Sequence, residues 1–349
     1  MEQVEVCVVH VAGDTAADAF DGTVQALAQL GLRQVVVELK PGALLARIRA
    51  LEEELAALAA ERSLYALHLH GAVACLLGSR ALRGSMLKAR LPATTRLLFS
   101  PQLGDFGSWK AALIGRLLKA ELAPLHGGVL IASPGEAHVL SRLLERSAEV
   151  LPPAADAAFF QLQRQDASRP AVLAGGSGIE AVDGVSRLAV LLNGRQDRVP
   201  IAWLGPIARA ERAQLQAAGV QVPDAEDEAG IARLLAGATA YLHLSRVTTH
   251  LRALAQAMAA GVPCLATDTL AHRAMLRHGE TGFICAGDLD FVEKLIVLLR
   301  DAAERERIGQ AARAEATRIF TQRHFETAVL RAYGFHRVTL LPKKSVHVA

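Results

Sequence analysis

Short apolar runs alternate with amphipathic stretches through the first half of the chain. The runs predict β-strands at Val4–Val11, Gln34–Leu39, Leu64–Leu69, Thr95–Ser100 and Gly128–Ser133. The stretches between them predict helices at Asp14–Leu30, Ala43–Arg62, Trp109–Ala120 and Glu136–Arg146, and one that starts at Ala72–Leu77. Strands that alternate with helices are typical of a doubly wound parallel sheet.

The same alternation restarts after a polar segment, residues 161–170, which ends in proline. The second half predicts strands at Ala171–Ala174, Ile201–Leu204, Val220–Val222, Ala240–Leu244 and Cys264–Thr267. It predicts helices at Val182–Leu192, Ala208–Ala218, Ala225–Ala236, Leu289–Leu299, Ala302–Phe320 and Thr321–Tyr333, and one that ends before Gly261. We therefore predict two doubly wound, Rossmann-like α/β domains, residues 1–160 and 171–320, joined by residues 161–170 as a linker.

One strand–helix–strand unit, from Ala240 to Thr267, contains a candidate anion site. Gly261 suits the position that ends a helix, and Pro263 prevents the helix from resuming. The N-terminus of this helix, near residues 248–251, lies at the carboxyl edge of the predicted sheet, where ligands of open α/β sheets bind. Its unpaired backbone N–H groups favour an anion.

Three segments of this region resemble the donor-binding region of retaining GT-B glycosyltransferases of the GT4 type. Leu244–Val247 stands where the family has Pro-Ser-x-x, Gln256–Pro263 matches the helix end Glu-Ala-Met-Ala-x-Gly-x-Pro, and Gly279–Phe283 matches a Gly-x-Thr-Gly-Phe turn. The segments keep the family's register without a gap, and the resemblance continues to about Tyr333 but is weaker over the first half. It implies a GT-B-like fold, in which the two domains face a cleft and a final helix, residues 321–335, crosses back to the first domain.

Both glutamates of the family pattern are replaced in this chain. They fall on Thr248 and Gln256, and the family's Gly-Phe-Gly falls on Thr249, His250 and Leu251. By resemblance, the first glutamate contacts the donor sugar and the second holds a ribose hydroxyl. The amide of Gln256 still hydrogen-bonds a hydroxyl, without charge assistance, and the hydroxyl of Thr248 suits a helix N-cap.

A glycine-rich turn forms the second part of the predicted donor site. Gly175-Gly176-Ser177 follows a predicted strand and precedes a predicted helix, which is a phosphate-cradle position, although such turns are as common without a ligand. The family's arginine and lysine, which hold the donor diphosphate, fall on Ser177 and Asp183, so we predict that Arg246 or Arg252 supplies the positive charge; a solvent-facing Arg252 is the alternative. The full set of predicted donor-binding residues is Gly175, Gly176, Ser177, Gly205, Ser245, Arg246, Thr248, Thr249, His250, Leu251, Arg252 and Gln256.

The first half supplies further candidates by the same resemblance. Leu67–Gly71 resembles the family's Asp-x-x-His-x-His-Gly element, so His70 is a candidate catalytic residue that faces the cleft, with a packed histidine as the equal alternative. Gln102 stands where many members place a cleft histidine, and it is the second catalytic candidate because it hydrogen-bonds a sugar hydroxyl. Gly13 and Asp14 stand in the loop that closes over the cleft.

The amino-acid composition bears on the domain content, the cysteines and the kinds of ligand that we expect. The 349 residues are 52% hydrophobic and 4% aromatic, which fits two domains of helices on aliphatic sheets. A net charge of +3 without a recognition motif gives no support for nucleic-acid binding. Four cysteines stand far apart, which predicts buried thiols rather than disulfides. No Asp-x-Asp motif or His/Cys spacing predicts a metal site, and we expect no cofactor beyond the nucleotide-sugar substrate.

The N-terminal segment, the apolar runs and the basic residues lead to an expectation for where the protein lies in the cell. The start lacks the basic segment of a signal peptide and no apolar run reaches the length of a membrane span, so we expect a cytoplasmic protein. By resemblance, a basic first-domain surface docks peripherally on the inner face of an anionic membrane in members that use lipid-linked acceptors. A solvated helix face is the alternative. The basic residues are Arg80, Arg83, Lys88, Arg90, Arg96, Lys110, Arg116 and Lys119.

The resemblance predicts a glycosyltransferase that moves a hexose from a nucleotide sugar to a saccharide or lipid-linked acceptor, with retention and without a metal. The alternative is a catalytically inactive GT-B-fold subunit that binds sugar, nucleotide or a partner, and the replaced motif residues point that way. A nucleotide-sugar epimerase of similar fold is a third class, whose own carboxylate and histidine signals the sequence lacks.

Overall fold

The computed structural model describes residues 7–12, 18–29, 31–102, 109–165, 171–176, 179–194, 199–205, 207–223, 227–246 and 251–335. In the first half the strands are β1 (Cys7–Ala12), β2 (Arg33–Glu38), β3 (Leu64–His70), β4 (Arg96–Ser100), β5 (Gly128–Ile131) and β6 (Ala148–Val150). The helices are α1 (Asp18–Gln29), α2 (Leu44–Glu61), α3 (Ala72–Leu82), α4 (Ser85–Arg90), α5 (Trp109–Leu122), α6 (Pro134–Leu144) and α7 (Ala157–Phe160).

The second half repeats the alternation. Its strands are β7 (Val172–Gly175), β8 (Ile201–Leu204), β9 (Ala240–His243), β10 (Cys264–Thr267) and β11 (Phe283–Cys285). Its helices are α8 (Ile179–Asn193), α9 (Arg209–Ala217), α10 (Glu228–Ala236), α11 (Arg252–Ala259), α12 (Leu270–Met275), α13 (Asp288–Arg300), α14 (Ala302–Ile319) and α15 (Gln322–Ala332).

Within the described residues the strands form two separate sheets, in the orders β2-β1-β3-β4-β5-β6 and β11-β10-β9-β7-β8. Every recorded strand pair is parallel. This confirms the predicted α/β class with two parallel sheets. Parallel strands need helical crossovers, which bury both faces of each sheet and explain why the strands read as continuous apolar runs.

The last helix, α15, packs against the first sheet although it follows the second half in sequence. Its Phe325 and Val329, with Tyr333 just after it, are buried with Val8 and Leu98. The hydroxyl of Tyr65 donates a hydrogen bond of 2.7 Å to the Tyr333 carbonyl, which holds the end of the helix on β3.

The chain changes from one core to the other earlier than the predicted linker at 161–170. Leu151 belongs to the core under the first sheet, whereas Ala155 and Phe159 belong to the core of the second half. The amide of Ala155 donates to the Phe320 carbonyl at 2.8 Å. The structure therefore places the crossing at residues 151–155, because the apolar side chains that follow are already buried in the second half. Residues 166–170 lie outside the described residues.

Other differences from the predicted elements are short. A short strand, β11, begins at Phe283, the last residue of the predicted turn. The predicted strand Val220–Val222 is reduced to a single bridge between Gln221 and Ala202. The elements α4, β6, α7 and α12 were not predicted, since pieces of this length carry too little periodicity. No helix in the described part of the chain combines the length and the apolar content needed to cross a bilayer.

Candidate functional site

The carboxyl edge of the second sheet brings together the loops after β7 and β9. The two strands are neighbours, and Gly175 is paired with His243 in the ladder. Gly176 has a φ of 151°, and a Cβ built there would lie 3.2 Å from the backbone nitrogen of Ser245. A Cβ at Gly175 would lie 2.5 Å from the hydroxyl of Tyr241. The two glycines are therefore needed for the close approach of these loops.

Gly205 ends β8 at the same edge and has a φ of 116°, with no atom within 4 Å of an added Cβ. Three predicted donor residues thus stand at the ends of two neighbouring strands of one sheet, Gly175 and Gly176 at the end of β7 and Gly205 just after β8. Predicted site residues that lie outside the described residues are Gly13, Asp14, Ser177, Thr248, Thr249 and His250. Their roles stay predictions.

The helix of the predicted anion site, α11, begins at Arg252, slightly later than the predicted start at 248–251. Leu251 precedes it and is buried. Gln256 lies inside α11 and is 5% exposed. Its amide is not among the fully buried, unpartnered groups of the described residues. Its predicted role as a ribose ligand stays a prediction.

Arg252 is already engaged by two carboxylates. Its Nη2 lies 2.7 Å from Oδ2 of Asp156, in the crossing segment, and also pairs with Glu228 at the start of α10. Partial burial raises the pKa of Glu228, and the neighbouring Asp156 adds to this shift, while Arg252 opposes it. The guanidinium therefore compensates two acids that lie close together, so it is a weaker candidate for the charge that meets a diphosphate.

Arg246 is the better placed of the two predicted arginines. It is exposed and follows Ser245, whose backbone meets Gly176. Together with Asp183, Arg187 and other residues it lines a cavity of about 250 Å³. Among the described residues no carboxylate lies within ion-pair distance of Arg246. The pKa of Asp268 is lowered mainly by a hydrogen bond from Arg273, and the charge of Arg246 adds a smaller downward effect.

The acid at position 183 has a structural partner. Gln214 of α9 donates a hydrogen bond of 2.7 Å to its Oδ1. The neighbouring Arg187 makes a bidentate pair with Asp288, at 2.6 and 3.3 Å. The side chain that replaces the family's lysine is therefore held toward α9 by an amide donor.

In the first half, three histidines meet at one face of the sheet. His10 of β1 lies opposite His68 of β3 in the parallel ladder, and His70 follows two residues later on the same face. Their ring nitrogens lie within 4.8 Å of one another, and all three side chains are buried. The spacing of these histidines in the sequence did not predict this cluster. The missing information was the register of β1 against β3.

Hydrogen bonds fix each ring of this histidine cluster. His10 Nδ1 is 3.0 Å from His70 Nε2, and His10 Nε2 is 3.0 Å from Oε1 of Gln34. His68 lies between two hydroxyls, with Nδ1 at 2.6 Å from Tyr333 and Nε2 at 2.7 Å from Ser100. The rings of His68 and His70 are 3.7 Å apart. His70, which lies at the strand end and is 4% exposed, is therefore packed as the alternative described, and its catalytic role stays a prediction.

Burial keeps these imidazoles neutral. It lowers the pKa of His10 to about 4, against a smaller upward effect of the Gln34 hydrogen bond. Burial also places the pKa values of His68 and His70 well below the ordinary 6.5, and the neighbouring histidines push in the same direction.

Gln102, the second catalytic candidate, follows β4 at the carboxyl edge of the first sheet. It has a φ of 45°, in the left-handed region that few residues other than glycine adopt. It is half-buried, and the next described residue is Trp109. Its role at a sugar hydroxyl stays a prediction.

A further buried histidine, His272 of α12, was also not predicted. Its Nδ1 donates to the Thr267 carbonyl at 2.6 Å, and its Nε2 is fully buried with no hydrogen-bond partner. Burial lowers its pKa to about 4. Its ring lies edge-on to that of His243 in β9, with 5.0 Å between the ring centroids.

These buried neutral histidines predict an acid-sensitive fold. Because His10 and His272 have folded-state pKa values of about 4 against 6.5 when unfolded, the unfolded chain binds more protons between those values. Stability should therefore fall as the pH falls from 6.5 toward 4. Each of the two contributes a loss of about 2 kcal/mol between pH 8 and pH 5, and His68 and His70 add to it. Urea unfolding at the two pH values measures the loss, and a His272→Gln variant should lose about 2 kcal/mol less between them. Equal losses in both proteins would contradict the assignment.

Known proteins resemble this chain in the second half, where the candidate donor site lies. Residues 208–315 match the family model described as glycosyl transferases group 1. N-acetyl-alpha-D-glucosaminyl L-malate synthase of Bacillus anthracis is 36% identical over 85 residues, which cover 24% of this chain and 22% of that protein. The chain thus spans about a fifth of the length of this curated relative.

Two solved structures show how far the fold extends. Sucrose-phosphate synthase from Thermosynechococcus elongatus matches with a TM-score of 0.71 and 15% identity over 94% of this chain and 98% of that one. Anabaena HepE, solved in complex with UDP-glucose, matches with a TM-score of 0.71 and 14% identity over 93% of this chain and 98% of that one. At these identities the likeness shows the fold alone. The chain therefore has the GT-B fold in both halves, and its residues 208–315 match the glycosyl transferases group 1 model.

Proposed function

We propose that this protein is a glycosyltransferase that moves a hexosyl unit from a nucleotide-sugar donor to a saccharide acceptor. The observation that carries the proposal is the group 1 match at 208–315, which includes the edge formed by β9 and α11. The relative solved with UDP-glucose supports a nucleotide sugar as the donor.

In the proposed reaction, the bond between the sugar C1 and the diphosphate oxygen breaks, and a bond from C1 to the acceptor oxygen forms. The acceptor proton passes to the leaving phosphate oxygen. We further propose that the transfer retains configuration and needs no metal. The protein has to stabilise the developing diphosphate charge. We assign that task to the backbone around Gly176 and Ser245 and to the guanidinium of Arg246.

Arg246 and Arg252 provide a direct test of the diphosphate site. Because Arg246 lacks an ion-pair partner among the described residues, Arg246→Ala should weaken UDP binding by about 1–3 kcal/mol, the range for a charged hydrogen bond. Arg252→Ala should change UDP affinity less and thermal stability more, because it leaves Asp156 and Glu228 together without their cation. Isothermal titration calorimetry with UDP, alongside thermal unfolding, separates the two outcomes. A larger affinity loss in Arg252→Ala would assign the diphosphate to Arg252.

The acceptor in this proposal is a soluble saccharide rather than a lipid-linked one. Contact with an anionic membrane needs unpaired positive charge. Three of the eight basic side chains of this surface are in ion pairs, Arg80 and Arg83 with Glu121 and Lys119 with Glu145 at 2.5 Å. A solvated face describes these side chains better. Flotation with vesicles that contain anionic lipid tests this preference, since binding would restore the lipid-linked acceptor.

A GT-B subunit without catalysis is the second candidate function. Two replacements favour it. Thr248 and Gln256 stand where the family has glutamates, and Asp183, which accepts a hydrogen bond from Gln214, stands where the family has a lysine. The test is slow donor hydrolysis over a panel of UDP-, GDP- and ADP-sugars, with Gln256→Ala as the control. Hydrolysis of one donor above the control supports the transferase. If no donor in the panel is hydrolysed and no nucleotide binds, the result supports a non-catalytic subunit that binds a sugar or a partner.

A further inference from the structure

A chain of hydrogen bonds runs from the backbone of α1 through Gln34 and His10 to His70. Its first link fixes the orientation of the Gln34 amide. Nε2 of Gln34 donates to the Val24 carbonyl at 2.8 Å, so the atom that faces His10 is the amide oxygen. An amide oxygen only accepts, and His10 Nε2 must therefore carry a hydrogen.

The second link follows from the neutral state of His10. A buried imidazole without a carboxylate partner stays neutral, and a neutral ring has one N–H and one lone pair. Since Nε2 of His10 carries the hydrogen, its Nδ1 holds the lone pair. His70 Nε2, at 3.0 Å from that lone pair, must donate to it.

The third link leaves the last lone pair on His70 Nδ1. His70 is also buried and neutral, so a hydrogen on Nε2 means an unprotonated Nδ1. His70 ends β3 at the carboxyl edge of the sheet and keeps 4% of its surface exposed. Its Nδ1 is not one of the fully buried, unpartnered nitrogens of the described residues, and no hydrogen bond to it is recorded there.

Packing prevents the ring from turning over. Phe20 of α1 lies edge-on to His70 at 4.7 Å, and the ring of His68 lies 3.7 Å away on another side. His68 is itself fixed by Ser100 and Tyr333. A flipped His70 would lose the bond to His10 and bury an unpaired polar atom, which is costly.

We propose that Gln34 and His10 are positioning residues, which fix His70 in the Nε2–H tautomer so that its Nδ1 accepts a hydrogen bond from a sugar hydroxyl in the cleft. This inference rests on the proposed glycosyl transfer and adds how one side of the sugar is recognised. His70 in this state accepts from a hydroxyl and rejects a carbonyl, an ether or a fluorine at the same position.

The same three histidines are also the one group in the described residues with nitrogens close enough to share a metal ion. A metal would need the lone pair of His10 that His70 already uses, and one of the His68 nitrogens that face Ser100 and Tyr333. The hydrogen-bonded chain is therefore the favoured arrangement.

Nitrogen NMR of ¹⁵N-histidine-labelled protein tests the tautomers without any need for turnover. Long-range proton–nitrogen spectra at pH 7 should show His10 and His70 both protonated at Nε2 and bare at Nδ1. Gln34→Leu removes the acceptor, so a second tautomer should appear for both rings. Glu38→Leu, on the same strand, is the matched control and should change neither ring.

Kinetics complete the test. With the donor that the panel identifies, Gln34→Leu should raise KM about tenfold with a smaller change in kcat, in line with losses for partners that orient a ligand histidine. Nδ1–H on either ring, unchanged tautomers in Gln34→Leu, or one equivalent of metal in the purified protein would overturn the inference. Correct tautomers with no turnover of any donor would instead overturn the proposed function.

Discussion

Replacing Gly309 with alanine should lower the free energy of unfolding by about 1–3 kcal/mol, the usual cost of forcing atoms into a packed core. In an open helix interior the same change stabilises by about 1 kcal/mol, because glycine is a poor helix former. The sign is reversed here because Gly309 of α14 faces α11. A Cβ built on Gly309 would lie 2.4 Å from the carbonyl oxygen of Gly261.

That carbonyl has little freedom to move. Gly261 has a φ of 71° at the end of α11, and the carbonyl before it, of Ala260, accepts from Arg313 at 2.9 Å. Relief of the clash therefore requires a shift of α14 against α11. Because α11 begins at the carboxyl edge of the second sheet, a shift of its far end also disturbs the candidate donor site.

Urea unfolding of Gly309→Ala measures the loss, with Gly237→Ala as the matched control. Gly237 ends α10 with a φ of −95°, and an added Cβ there has no neighbour within 4 Å. The control should be neutral or slightly stabilised. If both variants gain stability, the contact between α14 and α11 is looser than the structure describes.

The sequence predicted the fold well where the signal was local. The alternation of apolar runs and amphipathic stretches placed most strands and helices within a few residues, because each element carries its own periodicity. The unit from Ala240 to Thr267 was also recognised, since Gly261 and Pro263 stop a helix by local chemistry alone. The family resemblance of this region is confirmed by the group 1 match.

The residues that the sequence missed depend on contacts between distant segments. No local pattern in the sequence marks His10, because it is the register of β1 against β3 that sets it opposite His68. The pairing of Arg252 with Asp156 likewise depends on where the chain crosses from one core to the other. The position of that crossing was misplaced because Pro170 and the polar residues before it looked like a linker, whereas Phe159 had already entered the second core.

Replacing Arg313 with methionine should cost about 2–4 kcal/mol of unfolding free energy, because one charged group satisfies several backbone acceptors. Arg313 of α14 donates to the carbonyls of Ala259 and Ala260 at 3.1 and 2.9 Å, at the end of α11, where helix carbonyls lack partners. It also donates to the Leu162 carbonyl at 2.7 Å and so ties the segment after the crossing to both helices.

Methionine keeps much of the side-chain volume and removes the donors, so the loss reports on the hydrogen bonds. Arg313→Lys should give an intermediate loss, because an ammonium lacks the planar fork that reaches several carbonyls. Arg318→Met is the matched control on the same helix. Its side chain is 67% exposed and pairs with Glu315, an arrangement that contributes about 0–1 kcal/mol. Urea unfolding of the three variants should rank Arg313→Met as the least stable and Arg318→Met near the wild type. Equal stability of the two methionine variants would show that Arg313 does not hold the crossing segment and α11 together.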